Sequence, residues 1–538
     1  MPDIRSEPLS DAFHRFRWVY CQLETLRHCL PPSVCRILAG IPETLDATYE
    51  RILQEIPKSN QVHAHRLLQC LAVASRPLRV KELAEVLAVD FTASDGIPKL
   101  NEALRWEDQE QAILSACSSL ILVIKGEDGD SDEDLRVVQF SHFSVKEFLT
   151  SDRLAASKID ASRYHHIPLE PAHTIMAQAC LSVLLRLDPH INRAGIKDFP
   201  LAKYAAEHFG DHAEFGRVLS HILDGVNDLL DTDKSHFGVW VRIRPLRHLP
   251  LSESQQDLIS LYYVASRGYR GLVEYLVSKR PDDVNVIGAC GTPLHASLNL
   301  NGGHADVAQL LLGYCVDADV RDYDGRTPLH LAAHHGFLGA TRTLIEHNAD
   351  INARDSSGNT PLHRTMDSWH HQSESAQDRR LDVARFLLEH GADLDVISDD
   401  HGTPLHSASY FGSVKGVQLM LEHGANIHAR NKDGQTLLHQ ALDGLNDTYD
   451  SLDLFLDNIR FLLEHGADID ALDDDYATPL HEASSWGCVK GARILLEHGA
   501  NVHLEDKQGR TPFQVALAEG KTKVMQLLSE HLQSQQTM

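Results

Sequence analysis

One four-residue phrase limits what this chain can fold into. Thr-Pro-Leu-His opens at Thr292, Thr327, Thr360, Thr403 and Thr478, and weaker copies open at Thr436 (Thr-Leu-Leu-His) and Thr511 (Thr-Pro-Phe-Gln). The intervals 327 to 360, 403 to 436 and 478 to 511 are each 33 residues. A run of small residues follows each copy. After it comes a segment that in several copies ends in Leu-Leu-Glu-His-Gly-Ala, as at 387–392 and 495–500, and then a polar turn. So short a unit cannot bury its own apolar face. Its recurrence at a fixed step therefore implies a stack in which each unit covers its neighbour.

The residue types fit a helix–turn–helix unit. Thr supplies a hydroxyl to cap the first helix, and Pro at the first helical position has no N–H to leave unpaired. Ala332, Ala333 and Ala408 let neighbouring helices approach closely. Gly391, Gly424, Gly466 and Gly499 stand where a second helix ends in a left-handed residue. The pairs Leu311-Leu312, Leu387-Leu388, Leu462-Leu463 and Leu495-Leu496 are the expected shared core, each leucine contributing about 1.5 to 3 kcal/mol when buried. Residues 261–268 align with 329–336, and Ile259 stands 33 residues before Thr292, so a degenerate copy brings the count to eight. In motif and period these units resemble ankyrin repeats. The resemblance implies a protein-binding scaffold without catalysis.

Specificity in such a stack is expected where the frame leaves residues free. The first set is the tips of the turns before each Thr: Arg321, Tyr323 and Asp324; Arg354 and Asp355; Asp399 and Asp400; Asn431 and Lys432; Asp473, Asp474 and Tyr476. Gly325, Gly358, Gly434 and Gly509 sit two residues before Thr, where positive φ is plausible. Tyr476 replaces that glycine, and Gly291 and Gly402 are shifted by one, so three tips are expected to differ in shape. The second set comes from the long intervals, 43 residues from 360 and 42 from 436, whose extra residues fall within 366–380 and 443–458, between the two helices of a repeat. Loop growth is energetically cheap, which makes drift the plain reading. The sharper one makes Trp369, His370 and Tyr449 an auxiliary contact surface.

The first half reads differently. Residues 11–30 have helical apolar spacing, closed by Pro31-Pro32; helices follow over 44–53, 63–74 and 80–89, with a turn at Arg76-Pro77. Strands at 120–124 and 135–140 flank the acidic turn 128–134, so helices plus a hairpin suggest a winged-helix module. The spacing Ser144-Val145-Lys146-Glu147 matches a capping box, and helices over 174–187, 201–209 and 215–230 make a connector. Phe16-Arg17-Trp18, Arg76-Pro77-Leu78 before 82–87, and the run 140–149 resemble the region after the nucleotide-binding domain of fungal NACHT and ankyrin-repeat proteins. That resemblance implies the tail of a NACHT-type helical region (1–58), a winged-helix domain of the GPI inositol-deacylase type (59–156), a helical linker (157–254), ankyrin repeats (255–534) and a short tail (535–538). It also implies a sensor arm of a signalling switch, either a truncated product or a part working without its motor.

Several chemistries lack their residues. No G-x-x-x-x-G-K-[ST] occurs; Gly520-Lys521-Thr522 would need glycine where Val515 stands. The acidic turn places Glu133 and Gln139 where a calcium loop from Asp128 needs Gly and Glu, and no G-x-S-x-G is present. A helix bearing Lys81, Glu82 and Glu85 has no basic stripe, and 50 basic against 76 acidic residues repel phosphate, so nucleic acid is not an expected partner. Many of the 34 histidines recur at motif positions, where backbone and cap hydroxyls satisfy them better than zinc; the pairs His165-His166 and His370-His371 have no motif role. Nine scattered cysteines without a C-x-x-C pair suit a reducing compartment. The expectation is a mainly α protein in the cytoplasm, with the nucleus open, without membrane insertion, catalytic residue, metal or cofactor. It binds an unnamed protein ligand. Its rivals are a switch whose NTPase lies upstream or in another chain, and a substrate-recruiting adaptor.

Overall fold

Caps and apolar periodicity act locally, and the computed structural model shows where they succeed. It describes residues 44–91, 97–117, 119–125, 136–191, 193–231, 234–245, 260–288, 291–299, 303–314, 316–367, 373–446 and 452–537. The chain divides into two compact units, one up to Gln256 and one from Asp257. The expected helix over 11–30, the acidic turn, and Trp369, His370, His371 and Tyr449 lie outside the described residues.

In the first unit, Thr44 caps α1 (Leu45–Glu55), its hydroxyl accepting from the Ala47 N–H at 3.2 Å. The helix α2 (Gln61–Val73) buries Leu67, Leu68 and Cys70. Strand β1 (Leu78–Arg79), helix α3 (Val80–Leu87), the short antiparallel pair β2 (Val89–Asp90) and β3 (Lys99–Leu100), and α4 (Gln109–Cys117) lead into β4 (Ile121–Lys125) and β5 (Arg136–Phe140). The sheet order is β1-β5-β4, with Val138 opposite both Leu78 and Val123. The hairpin matches expectation; β1, β2, β3 and α4 do not announce themselves in the sequence. A two-residue strand has no periodicity to read, and β1 exists because β5, far along the chain, offers it hydrogen bonds.

The acids of α3 point inward rather than at solvent. Arg76 forks onto Glu82 at 2.7 and 2.8 Å, and Glu85 holds Arg105 at 2.5 Å while accepting from the Leu201 N–H at 2.6 Å. The Glu85–Leu201 bond ties the winged helix to the helices that follow it.

Two expected elements need correction. The helix α5 (Phe143–Leu149) is capped by His142, whose Nδ1 accepts from the Ser144 N–H at 3.3 Å, so Ser144 lies inside the helix instead of opening it. The expected helix over 215–230 is two, Val218–His221 and Leu223–Leu230, broken at Ile222, where φ is −127°. The longer helices that follow α5 include Leu169–Leu184, Ala202–Ala213 and His236–Ile243, with a buried Trp240 whose indole donates to the Ala206 carbonyl at 2.9 Å.

The second unit is the array. Its first helices include Ser260–Ser266, Pro293–Leu298, Pro328–His335, Pro361–Arg364, Pro404–Tyr410, Leu437–Asn446, Pro479–Trp486 and Pro512–Ala518, each followed by a second helix. Gly391, Gly424, Gly466 and Gly499 end second helices at φ of 91°, 91°, 88° and 90°, and Asn348 fills that place at 62°. The long intervals go partly into helix. Second helices run Glu374–Glu389 and Leu452–Glu464 against Leu338–Glu346 in a 33-residue repeat, so described residues of the long intervals lengthen the helix start.

Candidate partner-binding surface

The repeated histidine decides which side chains are frame. In six repeats the Thr N–H donates to the His Nδ1 at 3.0 to 3.3 Å, and the Thr hydroxyl lies 2.8 to 3.0 Å from the same nitrogen. An Nδ1 that accepts leaves the proton on Nε2. That Nε2–H donates to the carbonyl just before the next Thr: Arg326, Asn359, Gly402, Gln435, Ala477 and Arg510, at 2.9 to 3.3 Å. Each ring thus closes its own helix cap and fastens the following repeat. In the last repeat Gln514 closes the cap alone, accepting from the Thr511 N–H at 2.8 Å. The Glu-His-Gly histidines do other work: Nδ1–H of His390, His423, His465 and His498 donates to the carbonyl four residues back.

Burial is the main cause that lowers the pKa of the ladder histidines, to about 4 for His330, His363, His406 and His439. They are neutral pins, with no ring nitrogen left for a metal. Among the described residues no group of three His, Cys, Asp or Glu is arranged to hold a metal ion, and no helix is long and apolar enough to cross a membrane.

The tips separate into anchors and outward residues. Asp355, Asn431 and Asp473 are anchors: each carboxylate or amide oxygen accepts from the N–H groups two and four residues on, and Asp355 is only 7% exposed. Arg321 and Arg354 reach along the stack, to the carbonyls of Arg354 and Ile397 respectively. Backbone bonds join successive tips, including Ser356 N–H to Asp324 and Asp474 N–H to Asp433. Asp399 and Lys432 form an ion pair between tips, and Asp400 accepts from the Asn359 amide at 3.2 Å. Two aromatic rings point away, Tyr323 at 74% exposed and Tyr476 at 54%, beside exposed charges such as Asp324, Asp474 and Asp475.

Tyr476 corrects an expectation about shape. It adopts φ of 57°, beside 70° for Gly325, and its turn repeats the Gly325 turn bond for bond: Asp473 N–H to Ala477 carbonyl matches Asp322 N–H to Arg326 carbonyl. Gly291 and Gly402, at 99° and 90°, do sit in different turns, closed by Gly288 and Ser398.

Sequence reasoning missed the first-helix residues beside the tips. Arg364 binds Asp355 at 2.9 Å and Asp367 at 2.7 Å, His401 stacks on Tyr410, and Trp486, 40% exposed, donates to Glu482 at 2.7 Å. The signal was available: aligning the repeats shows positions four, seven and eight after Thr changing while the frame stays fixed.

Comparison with known proteins agrees with this geometry. The family "Ankyrin repeats (3 copies)" matches residues 261–355, 294–396, 353–431, 373–473, 429–506 and 451–537, and "GPI inositol-deacylase, winged helix domain" matches 49–159. Azaphilone pigments biosynthesis cluster protein L of Monascus ruber is 32% identical over 303 residues, 52% of this chain and 61% of that protein. A probable E3 ubiquitin-protein ligase of Oryza sativa subsp. japonica is 38% identical over 88 residues, 16% of each chain. Protein phosphatase 1 regulatory subunit 12A of Mus musculus is 38% identical over 74 residues, 14% of this chain and 7% of that one. The chain therefore spans less than two thirds of the length of these relatives.

Proposed function

Because the chain belongs to the ankyrin-repeat family, we propose that it is a non-catalytic interaction protein whose array reads a protein ligand through its turn tips and first-helix face. One observation carries this reading. The Thr-His network consumes the repeated polar groups within the frame, while side chains that differ between repeats, such as Tyr323, Asp324 and Tyr476, stand outside it. A fixed frame with variable exposed aromatics and charges is what a partner-selective surface requires.

The finer reading is a sensor arm of a NACHT-type signalling protein. Its support is the winged-helix match at 49–159 together with the resemblance of the first half to the region after a nucleotide-binding domain. On that reading an NTPase supplied upstream or by another chain drives the switch. A substrate-recruiting adaptor is the other role compatible with the array. The relatives' names do not choose between these, since the ligase and phosphatase-subunit matches span only 88 and 74 residues.

The test is affinity capture with the full chain against a double variant, Tyr323→Ala with Tyr476→Ala, and identification of the bound proteins. The expected result is a defined protein that the variant loses. Equal capture by both, or ATP hydrolysis by the purified chain, overturns the reading.

A further inference from the structure

Several repeats in this array meet the anchor with a side chain of their own, and the repeat of Asp473 differs from them. Where the anchor is Asp355, Arg364 bridges it to Asp367; where it is Asp506, Arg510 pairs with it at 2.8 Å. Where it is Asn431, the amides of Asn431 and Gln440 both donate to Gln435 Oε1, at 3.0 and 2.8 Å. For the anchor Asp473 the corresponding positions hold Ala477 and Glu482, so an acid stands where Arg364 and Gln440 stand in two other repeats and where Leu331 and Val515 are apolar. The Glu482 carboxylate accepts from the Trp486 indole, and among the described residues no Lys, Arg or His side chain forms an ion pair with it.

Three further observations point the same way. Gln440, at the equivalent position of the preceding first helix, is 4% exposed, and its buried Oε1 has no hydrogen-bond partner. Burial, with the charges of Asp443 and Asp473, raises the Glu482 pKa. From Thr436 to Ala477 the sequence has eleven Asp and Glu against one basic residue, Arg460, and that arginine is turned to Asp457 at 2.9 Å.

We propose that Glu482, Gln440 and Trp486, below the tip of Asp473 and Tyr476, seat an arginine side chain from a basic segment of the protein ligand. A guanidinium supplies forked donors for a carboxylate and an amide oxygen, and its flat face packs on an indole. The acidic repeat alongside draws such a segment in. The inference rests on the array being a protein-binding surface.

The probe is a fluorescein-labelled Gly-Ser-Arg-Gly-Arg-Ser-Gly peptide and its counterpart with citrulline for arginine, titrated by anisotropy with the full chain at about 50 mM salt, where screening is modest. The arginine peptide is expected to bind about tenfold more tightly than the citrulline peptide. Glu482→Gln, which keeps an acceptor for Trp486, is expected to weaken it about tenfold. Glu497→Gln makes the same charge change at the exposed end of the second helix and is expected to stay within about twofold, as a screened surface charge. No binding of the arginine peptide, equal binding of the two peptides, or equal losses from the two variants overturns the assignment. If the full chain captures the same protein with and without Glu482→Gln, the arginine seat fails and the interaction reading stands. If the unsubstituted chain captures no protein, the interaction reading itself fails.

Discussion

The two units bury the same side chain to opposite purposes. In the array, His363 uses both ring nitrogens, one toward Thr360 and one toward the Gly402 carbonyl. In the first unit, His165 is equally buried, yet neither of its ring nitrogens has a hydrogen-bond partner, and it packs edge-on to His65 and Tyr164. Both are held neutral, burial lowering each to about 4. The array therefore repeats one histidine as a two-ended polar link, whereas the first unit keeps His165 as an aromatic filler and makes a single link of its own at His212, which lies 2.9 Å from both the His173 Nδ1 and the Tyr204 hydroxyl.

Acid is the strongest lever on that difference. The folded pKa of His330, His363, His406 and His439 lies below the ordinary 6.5, so their stabilisation is complete above that value and is lost as pH falls toward 4. At pH 5 the loss is about 2 kcal/mol for each, hence about 8 kcal/mol over four. Within the first unit His65, His165 and His212 act in the same direction but are fewer. Urea unfolding of the full chain at pH 7 and pH 5, read by pulse proteolysis with mapping of the cleaved unit, is expected to show the array losing more. An equal shift in both units breaks the contrast.

Single substitutions separate link from filler. His363→Ala leaves the Thr360 N–H and the Gly402 carbonyl unpaired and opens a cavity, for a cost of about 3 kcal/mol. His165→Leu removes no hydrogen bond and is expected to be neutral or to stabilise by about 1 kcal/mol. Urea midpoints check both. A cost at His165 as large as that at His363 would mean that the first unit also uses His165 as a link.

One helical glycine from each unit gives a contrast in packing. A Cβ at Gly444 would overlap the Tyr410 carbonyl of the neighbouring first helix, so Gly444→Ala is expected to cost about 2 kcal/mol. A Cβ at Gly238, in the helix His236–Ile243, meets nothing within 4 Å, and Gly238→Ala is expected to stabilise by about 0.5 to 1 kcal/mol. Thermal melts that show the same sign for both would erase the distinction.

What was legible in the sequence follows from this division. Thr360, Pro361, His363 and Gly391 act within one repeat or between adjacent ones, so period and residue type suffice to read them. Strand β1 depends on Val137 and Val138 some 60 residues away, and the caging of Glu85 depends on Arg105 and Leu201; no local pattern encodes either. Ile222 breaks a helix whose apolar spacing continues through it. On the candidate surface the exposed tyrosines were readable from the tips, while Glu482 and Gln440 acquire meaning only beside their neighbours in the stack.

The smallest expected effect comes from the tip where expectation and structure disagree. A tyrosine in the left-handed region pays about 1 kcal/mol of backbone strain, which glycine would relieve, against a larger entropy loss for glycine on folding. Tyr476→Gly is therefore expected to stabilise the array by only about 0.5 kcal/mol while leaving the turn unchanged, because the Asp473 anchor still holds the N–H groups of Asp475 and Ala477. Gly325→Tyr makes the reverse exchange, but a Cβ there meets Ser356 Oγ at 2.6 Å, so it is expected to cost more than the reciprocal gain. If Tyr476→Gly keeps the melting temperature and loses ligand capture, the tip holds tyrosine for its exposed ring rather than for the turn. If capture is unchanged, the ring is not part of the surface and the turn tolerates the residue at small cost.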